Sequence, residues 1–206
     1  GLSRYVAGNM NDLVFPFRAY QFARNYRGER PQRGRYREFY QMDLDIMGIN
    51  SLSVNYDAEI VATLARAYES VSEFIGPTYV RVGNRKFWNA MFDYLNLDEK
   101  QRRSAFVLID KKDKIKGFVD ALSEEIGANA AGVINSVFTN GYKSFVGKCD
   151  SLDLAISELD DFMNLLSAMG IKNAVIDLGI MRGHAYYTGV VFEFFLEKFP
   201  ELGAVG

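Results

Sequence analysis

Along the chain, apolar and polar positions alternate with two different periods, and the switch between them lays out the elements. Residues 18–27, RAYQFARNYR, and 37–47, REFYQMDLDIM, alternate charged or polar side chains with apolar and aromatic ones. That pattern predicts the two strands of a long antiparallel hairpin, preceded over 2–11 by the tail of a helix. From residue 57 the period lengthens. Ile60, Leu64, Tyr68 and Val71 recur at helical spacing, and Asp57 and Glu59 complement the dipole at the start, so a helix over 57–74 is predicted, with Pro77 beyond it. Residues 78–82 alternate again as a short strand. Helical patterns then follow over 85–95, 98–108, 114–126 and 130–138, and TNGYKSFVGKCD reads as turn and linker. The clearest helix covers 151–169, with Leu152, Ile156, Leu159, Met163 and Leu166 on one stripe, Asp150 and Asp153 as its capping residues, and Gly170 after it. A strand over 174–177 and an aromatic-rich strand over 186–196 complete the pattern. Strands at both ends around a helical middle predict an α+β fold in which helices pack on an antiparallel sheet.

Composition narrows the setting. With 49% hydrophobic and 14% aromatic residues, the chain has enough apolar surface for one sizeable core or two small ones and is not disordered. The single Cys149 excludes an internal disulfide, and the lone His184 leaves no histidine-based metal cluster, so no metal site is expected and a reducing, cytoplasmic compartment is the simplest setting. No apolar run approaches the roughly 18 residues that a membrane span needs. A formal net charge of −2 argues against a general nucleic-acid coat, while leaving room for local contact with RNA.

Positive charge is concentrated in one place. Arg27, Arg30, Arg33, Arg35 and Arg37 all fall at one end of the predicted hairpin, beside a turn that Gly34 permits. A guanidinium is always charged and its planar fork matches phosphate or carboxylate oxygens bidentately, so the cluster is a candidate polyanion cradle; a solvated basic loop is the plainer alternative. The wording around it, RGERPQRGRYREFYQ, closely resembles motif 2 of histidyl-tRNA synthetase, a class II aminoacyl-tRNA synthetase. Far downstream, MRGHAYYTGVVFE at 181–193 is similar to the histidine-binding signature of that family, usually RGLDYYTG followed by a strand ending in Phe-Glu. NYDAEIVATL, VRVGNRKFWNAMF and VLIDKKDKI look like its connecting segments, so the resemblance covers essentially the whole chain.

The resemblance implies a class II synthetase-like core split in two, with residues 1–83 carrying the hairpin and 151–206 carrying the signature, around a mainly helical insertion over 84–150. It also implies the chemistry. Histidine activation joins an amino-acid carboxylate to the α-phosphate of ATP, so the site must hold two anions together while charge gathers at phosphorus. Arg27 and Arg182 are then the catalytic arginines at the α-phosphate, and Arg35 reaches the terminal phosphates. Glu29 faces the nucleotide and Phe39 stacks on the adenine. Gln41 lies near the α-amino and carboxylate end of histidine, Asp45 and Tyr187 read the imidazole nitrogens, and Tyr186 lines the pocket. Mg²⁺ arrives with ATP and is held mainly by phosphates. The implied partners are histidine, ATP and, for the full-length protein, tRNA(His), in a homodimer built by motif 1.

The departures from the family pattern matter as well. His184 and Ala185 stand where Leu and Asp are usual, which removes a carboxylate from the signature. Motif 1, the GGRYD loop, motif 3 and the anticodon-binding domain have no counterpart in these residues. The chain therefore reads as a catalytic-domain fragment of a histidine–tRNA ligase, inactive on its own. Two other classes stay open: a non-catalytic paralogue such as the histidine-sensing regulatory subunit of ATP phosphoribosyltransferase, and a nucleotide- or RNA-binding module without amino-acid chemistry. The module accounts for the arginines but not for the second signature.

Overall fold

Two-residue alternation becomes a hairpin. Strands β1 (Phe17–Tyr26) and β2 (Glu38–Met47) pair antiparallel from Phe17↔Met47 to Tyr26↔Glu38 in this computed structural model, which describes residues 1–28, 30–31, 34–181 and 187–206. The chain divides into two units, Gly1–Leu64 and Ala65–Gly206. In the first, helix α1 (Leu2–Gly8) precedes the hairpin, and the opening turns of α2 (Asn55–Ser70) follow it. Arg18 on β1 reaches Glu59 on α2 through two bonds, 2.6 and 3.0 Å, and lies over the Tyr56 ring. That guanidinium holds the Glu59 carboxyl below its ordinary range.

The second unit begins with the rest of α2. The helix predicted over 57–74 breaks after Ser70 into a separate turn, α3 (Ser72–Ile75). Ser70 Oγ donates to Ala67 O at 2.7 Å and Val71 N to Tyr68 O at 3.2 Å, so the last carbonyls are taken by tighter bonds than the helix ladder uses. Then come β3 (Thr78–Asn84), α4 (Arg85–Tyr94), α5 (Glu99–Asp110), α6 (Phe118–Ile126), α7 (Ala128–Asn140), α8 (Asp150–Ala168), β4 (Ala174–Ile176) and β5 (Val190–Leu196). The order across the sheet is β4-β3-β5, with β4 parallel and β5 antiparallel to β3, so this sheet is mixed. The chain has the α+β class its periodicity predicts, with helices making up most of residues 85–168.

Three local differences from the expected elements have physical causes. Gly117 sits at φ +73, outside the right-handed region, so α6 starts at Phe118 rather than near 114. Asp153 does not cap α8; its carboxylate accepts from Gly147 N at 2.7 Å and so braces the incoming turn. The final strand starts at Val190 because its partner β3 ends at Asn84; beyond that pair Arg85 N donates to Gly189 O at 2.9 Å as the chain turns into α4.

The core of this unit is aromatic. Trp88, Phe87 and Phe92 of α4 are fully buried, and Trp88 stands 5.5 Å from Phe87, 5.9 Å from Phe92 and 5.8 Å from Phe138 of α7. Phe106 of α5 meets Phe92 edge-on at 4.8 Å, while Leu152, Leu159, Phe162 and Leu166 bury the stripe of α8. At the start of α5, Asp98 Oδ1 accepts from Gln101 N at 2.9 Å and Gln101 Oε1 accepts from Asp98 N at 3.0 Å, a closed capping box. Asp98→Ala removes the bond that Gln101 N makes, while the backbone N of residue 98 keeps its bond to Gln101 Oε1, and is expected to lower stability by about 1 kcal/mol. Urea denaturation checks it, and an unchanged midpoint means that α5 is set by packing alone.

Candidate functional site

The register of the hairpin decides which side chains share a face. Ala19, Gln21, Ala23 and Asn25 of β1 stand opposite Asp45, Asp43, Gln41 and Phe39 of β2, so all eight project to the same side of the two-stranded sheet. Arg27 extends that row by one step, its backbone N donating to Arg37 O at 2.9 Å. The small side chains Ala23 and Ala19 lie across from Gln41 and Asp45, and Ala19 and Asp45 share the lining of one recess. The opposite face carries Phe22 stacked on Tyr40 at 5.2 Å, with the Arg24 guanidinium over the Tyr40 ring.

Four of the sequence-predicted residues come together on the first face. The Arg27 guanidinium lies 5.0 Å from the Phe39 ring centre, and its Nη2 donates to Gln41 Oε1 at 3.1 Å. Gln41 Nε2 in turn donates to Asp43 Oδ1, so one amide bridges a cation and a carboxylate. Asp43 and Asp45 then line a recess of about 340 Å³ with Leu2, Ala19, Tyr20, Gln21 and Leu44. A row of positive charge, aromatic face, amide and two carboxylates therefore runs along one side of the hairpin. Such a row can meet an anion at one end and a hydrogen-bond donor at the other. Phe39, Gln41 and Asp43 are half-buried, while Arg27 and Asp45 stay open to solvent.

The remaining predicted residues are placed differently. Arg35 is exposed on the loop between the strands, one residue after Gly34, whose φ of +74 makes the turn. Tyr187 belongs to the second unit, just ahead of β5, and is 44% exposed. Glu29, Arg182 and Tyr186 lie outside the described residues, as do His184 and Ala185, and with them the expected convergence of Arg27 and Arg182. Asp43 is the participant that sequence reading missed. Its signal was available, since Phe39, Gln41, Asp43 and Asp45 are spaced two apart and must share a face. Among the described residues, no group of three or more His, Cys, Asp or Glu is placed to hold a metal ion. None of their helices is long and apolar enough to cross a membrane.

A histidine–tRNA ligase of Xanthomonas campestris pv. campestris is 35% identical over 225 residues, an alignment that takes in 99% of this chain and 47% of the relative. The crystal structure of histidyl-tRNA synthetase from Nostoc sp. PCC 7120 superposes with a TM-score of 0.84 at 31% identity, covering 99% of this chain and 49% of that one. A Bacillus halodurans structure described as an ATP phosphoribosyltransferase regulatory subunit/histidyl-tRNA synthetase shares the fold, with a TM-score of 0.78 at 19% identity over 96% of this chain and 52% of its own. The chain thus spans about half the length of the curated relatives it matches. The family model for histidyl-tRNA synthetase matches residues 2–206, and the chain belongs to the histidyl-tRNA synthetase family.

Proposed function

We propose that the chain is part of the catalytic domain of a histidine–tRNA ligase, which activates histidine with ATP and transfers it to tRNA(His). The observation that carries this reading is the row on the hairpin, where Arg27 is held by Gln41 and covered by Phe39, with Asp43 and Asp45 farther along. Arg27 stabilises charge developing at the α-phosphate, and Phe39 offers a ring for adenine. Gln41, already bridging Arg27 and Asp43, is placed to turn one amide group toward the amino-acid backbone. Asp45 and Tyr187 supply an acceptor and a hydroxyl for the two imidazole nitrogens, with Tyr186 lining the pocket. Arg35 and Glu29 face the outer phosphates and the nucleotide, and Arg182 joins Arg27 at the reacting phosphorus. Mg²⁺ enters bound to the ATP phosphates and neutralises their charge. Residues 84–150 are an insertion between two parts of the catalytic core, 1–83 and 151–206. The complete protein is a cytoplasmic homodimer.

The test is histidine-dependent ATP–pyrophosphate exchange by the gene product that carries this chain. Exchange that needs histidine, and is not supported by other amino acids, is the expected result. A protein that binds histidine yet never exchanges pyrophosphate sinks the ligase reading. It favours instead a histidine-sensing regulatory paralogue, the reading to which His184 and Ala185 in the signature lend weight.

A further inference from the structure

The run 82–88, VGNRKFW, takes no part in the proposed chemistry, yet it grips both sides of the segment that bears RGHAYYTG. Upstream of that segment, Val82 O accepts from Asp177 N at 2.8 Å, and Trp88 Nε1 donates to Leu178 O at 2.8 Å. Gly83 passes so close that a Cβ there would stand 2.6 Å from Ile180 O and 3.2 Å from Asp177 O, an approach to backbone oxygens that only glycine tolerates. Downstream, Arg85 N donates to Gly189 O at 2.9 Å, while Asn84 and Gly83 pair with Val190 and Val191. Asn84 Oδ1 also accepts from Lys86 N and Phe87 N, which fixes the first turn of α4 to the end of β3. Leu178, Ile180 and Met181 are buried, and Trp88 is wedged fully buried among three other aromatic rings, so this corner has little freedom to shift.

We propose that residues 82–88 are a positioning frame for the histidine-binding signature, with Gly83 and Trp88 as its positioning residues. One strand end and one helix start hold the backbone on both flanks, at 177–181 and at 189–191, and so fix these two flanks relative to each other. Neither residue touches substrate; each acts through the backbone it holds. The inference rests on reading the signature as part of the amino-acid site, and its test separates the two.

Two variants of the gene product carry that test. Trp88→Phe keeps a ring in the core but removes the indole donor, leaving Leu178 O buried and unpaired, and Gly83→Ala drives a methyl group against Ile180 O. Amide hydrogen exchange should rise by about tenfold or more in 177–181 and 187–191, while α7 and α8 of the same unit stay within about twofold. In pyrophosphate exchange the histidine Michaelis constant should rise about tenfold and turnover should fall, with the ATP Michaelis constant within about twofold, because the hairpin is untouched. A merely structural role gives a different signature. Amide exchange that accelerates evenly through the unit, or variants with wild-type exchange in 177–191, overturns the frame. If Gly83→Ala does not fold, Trp88→Phe decides alone. If the wild-type protein shows no response to histidine, the functional reading fails, and the hydrogen-exchange comparison still decides the frame by the same criteria.

Discussion

Arg27→Ala is expected to lower histidine-dependent pyrophosphate exchange by about 10³-fold in the gene product that carries this chain, with a much smaller loss of ATP binding. The reasoning starts from the hairpin row. Arg27 is anchored at its backbone by Arg37 O and at its guanidinium by Gln41 and the Phe39 ring, so it is a fixed charge rather than a wandering one. A preorganised donor aimed at charge that develops only in the transition state contributes more to turnover than to ground-state affinity, and removing one such donor costs about 10² to 10³ in rate. The alanine variant also frees Gln41 Oε1 and uncovers Phe39, which disturbs the amino-acid and adenine contacts together and places the loss at the upper end. Arg27→Lys keeps the charge but not the planar fork that Gln41 engages, and should recover only part of the rate. Steady-state exchange with ATP and histidine varied separately measures both. A drop of less than about tenfold for Arg27→Ala removes Arg27 from the reacting centre.

The features legible in the sequence are those that local periodicity controls. Alternation over 18–27 and 37–47 placed β1 and β2 to within a residue, and their register then put Arg27, Phe39, Gln41 and Asp45 on one face. Helices α4, α5, α7 and α8 were likewise visible, because each has an apolar stripe long enough to set its phase. What escaped was decided at a distance. The grip of Trp88 on Leu178 joins residues 90 apart in sequence, and Gly83 looks like an ordinary strand glycine until Ile180 O is found against it. The parallel placement of β4 is of the same kind, since three residues carry no mark of strand direction. Local polar choices also went unseen: Asp153 bonds the turn behind it instead of its own helix, and Ser70 draws on Ala67 O where the periodicity of α2 runs on.

Phe92→Ala is expected to cost the Ala65–Gly206 unit about 3–5 kcal/mol, the largest stability loss foreseen for a single side chain outside the proposed site. Phe92 is fully buried at the meeting of α4 and α5, with Phe106 edge-on at 4.8 Å and the Trp88 ring at 5.9 Å. Its removal forfeits the transfer free energy of the ring and leaves a hole that these neighbours cannot close. Trp88 is tethered by its bond to Leu178 O, and Phe106 is covered on one side by the Arg85 guanidinium at 4.3 Å. At about 2–4 °C of melting temperature per kcal/mol for a domain of this size, the shift should be about 6–20 °C. Phe74→Ala is the matched control, because the same deletion at a ring that is 81% exposed should change stability by no more than about 0.5 kcal/mol. Thermal and urea unfolding of both variants, followed by the near-ultraviolet signal of Trp88, gives the comparison. Equal midpoints for the two variants exclude the aromatic cluster as the centre of this unit's core.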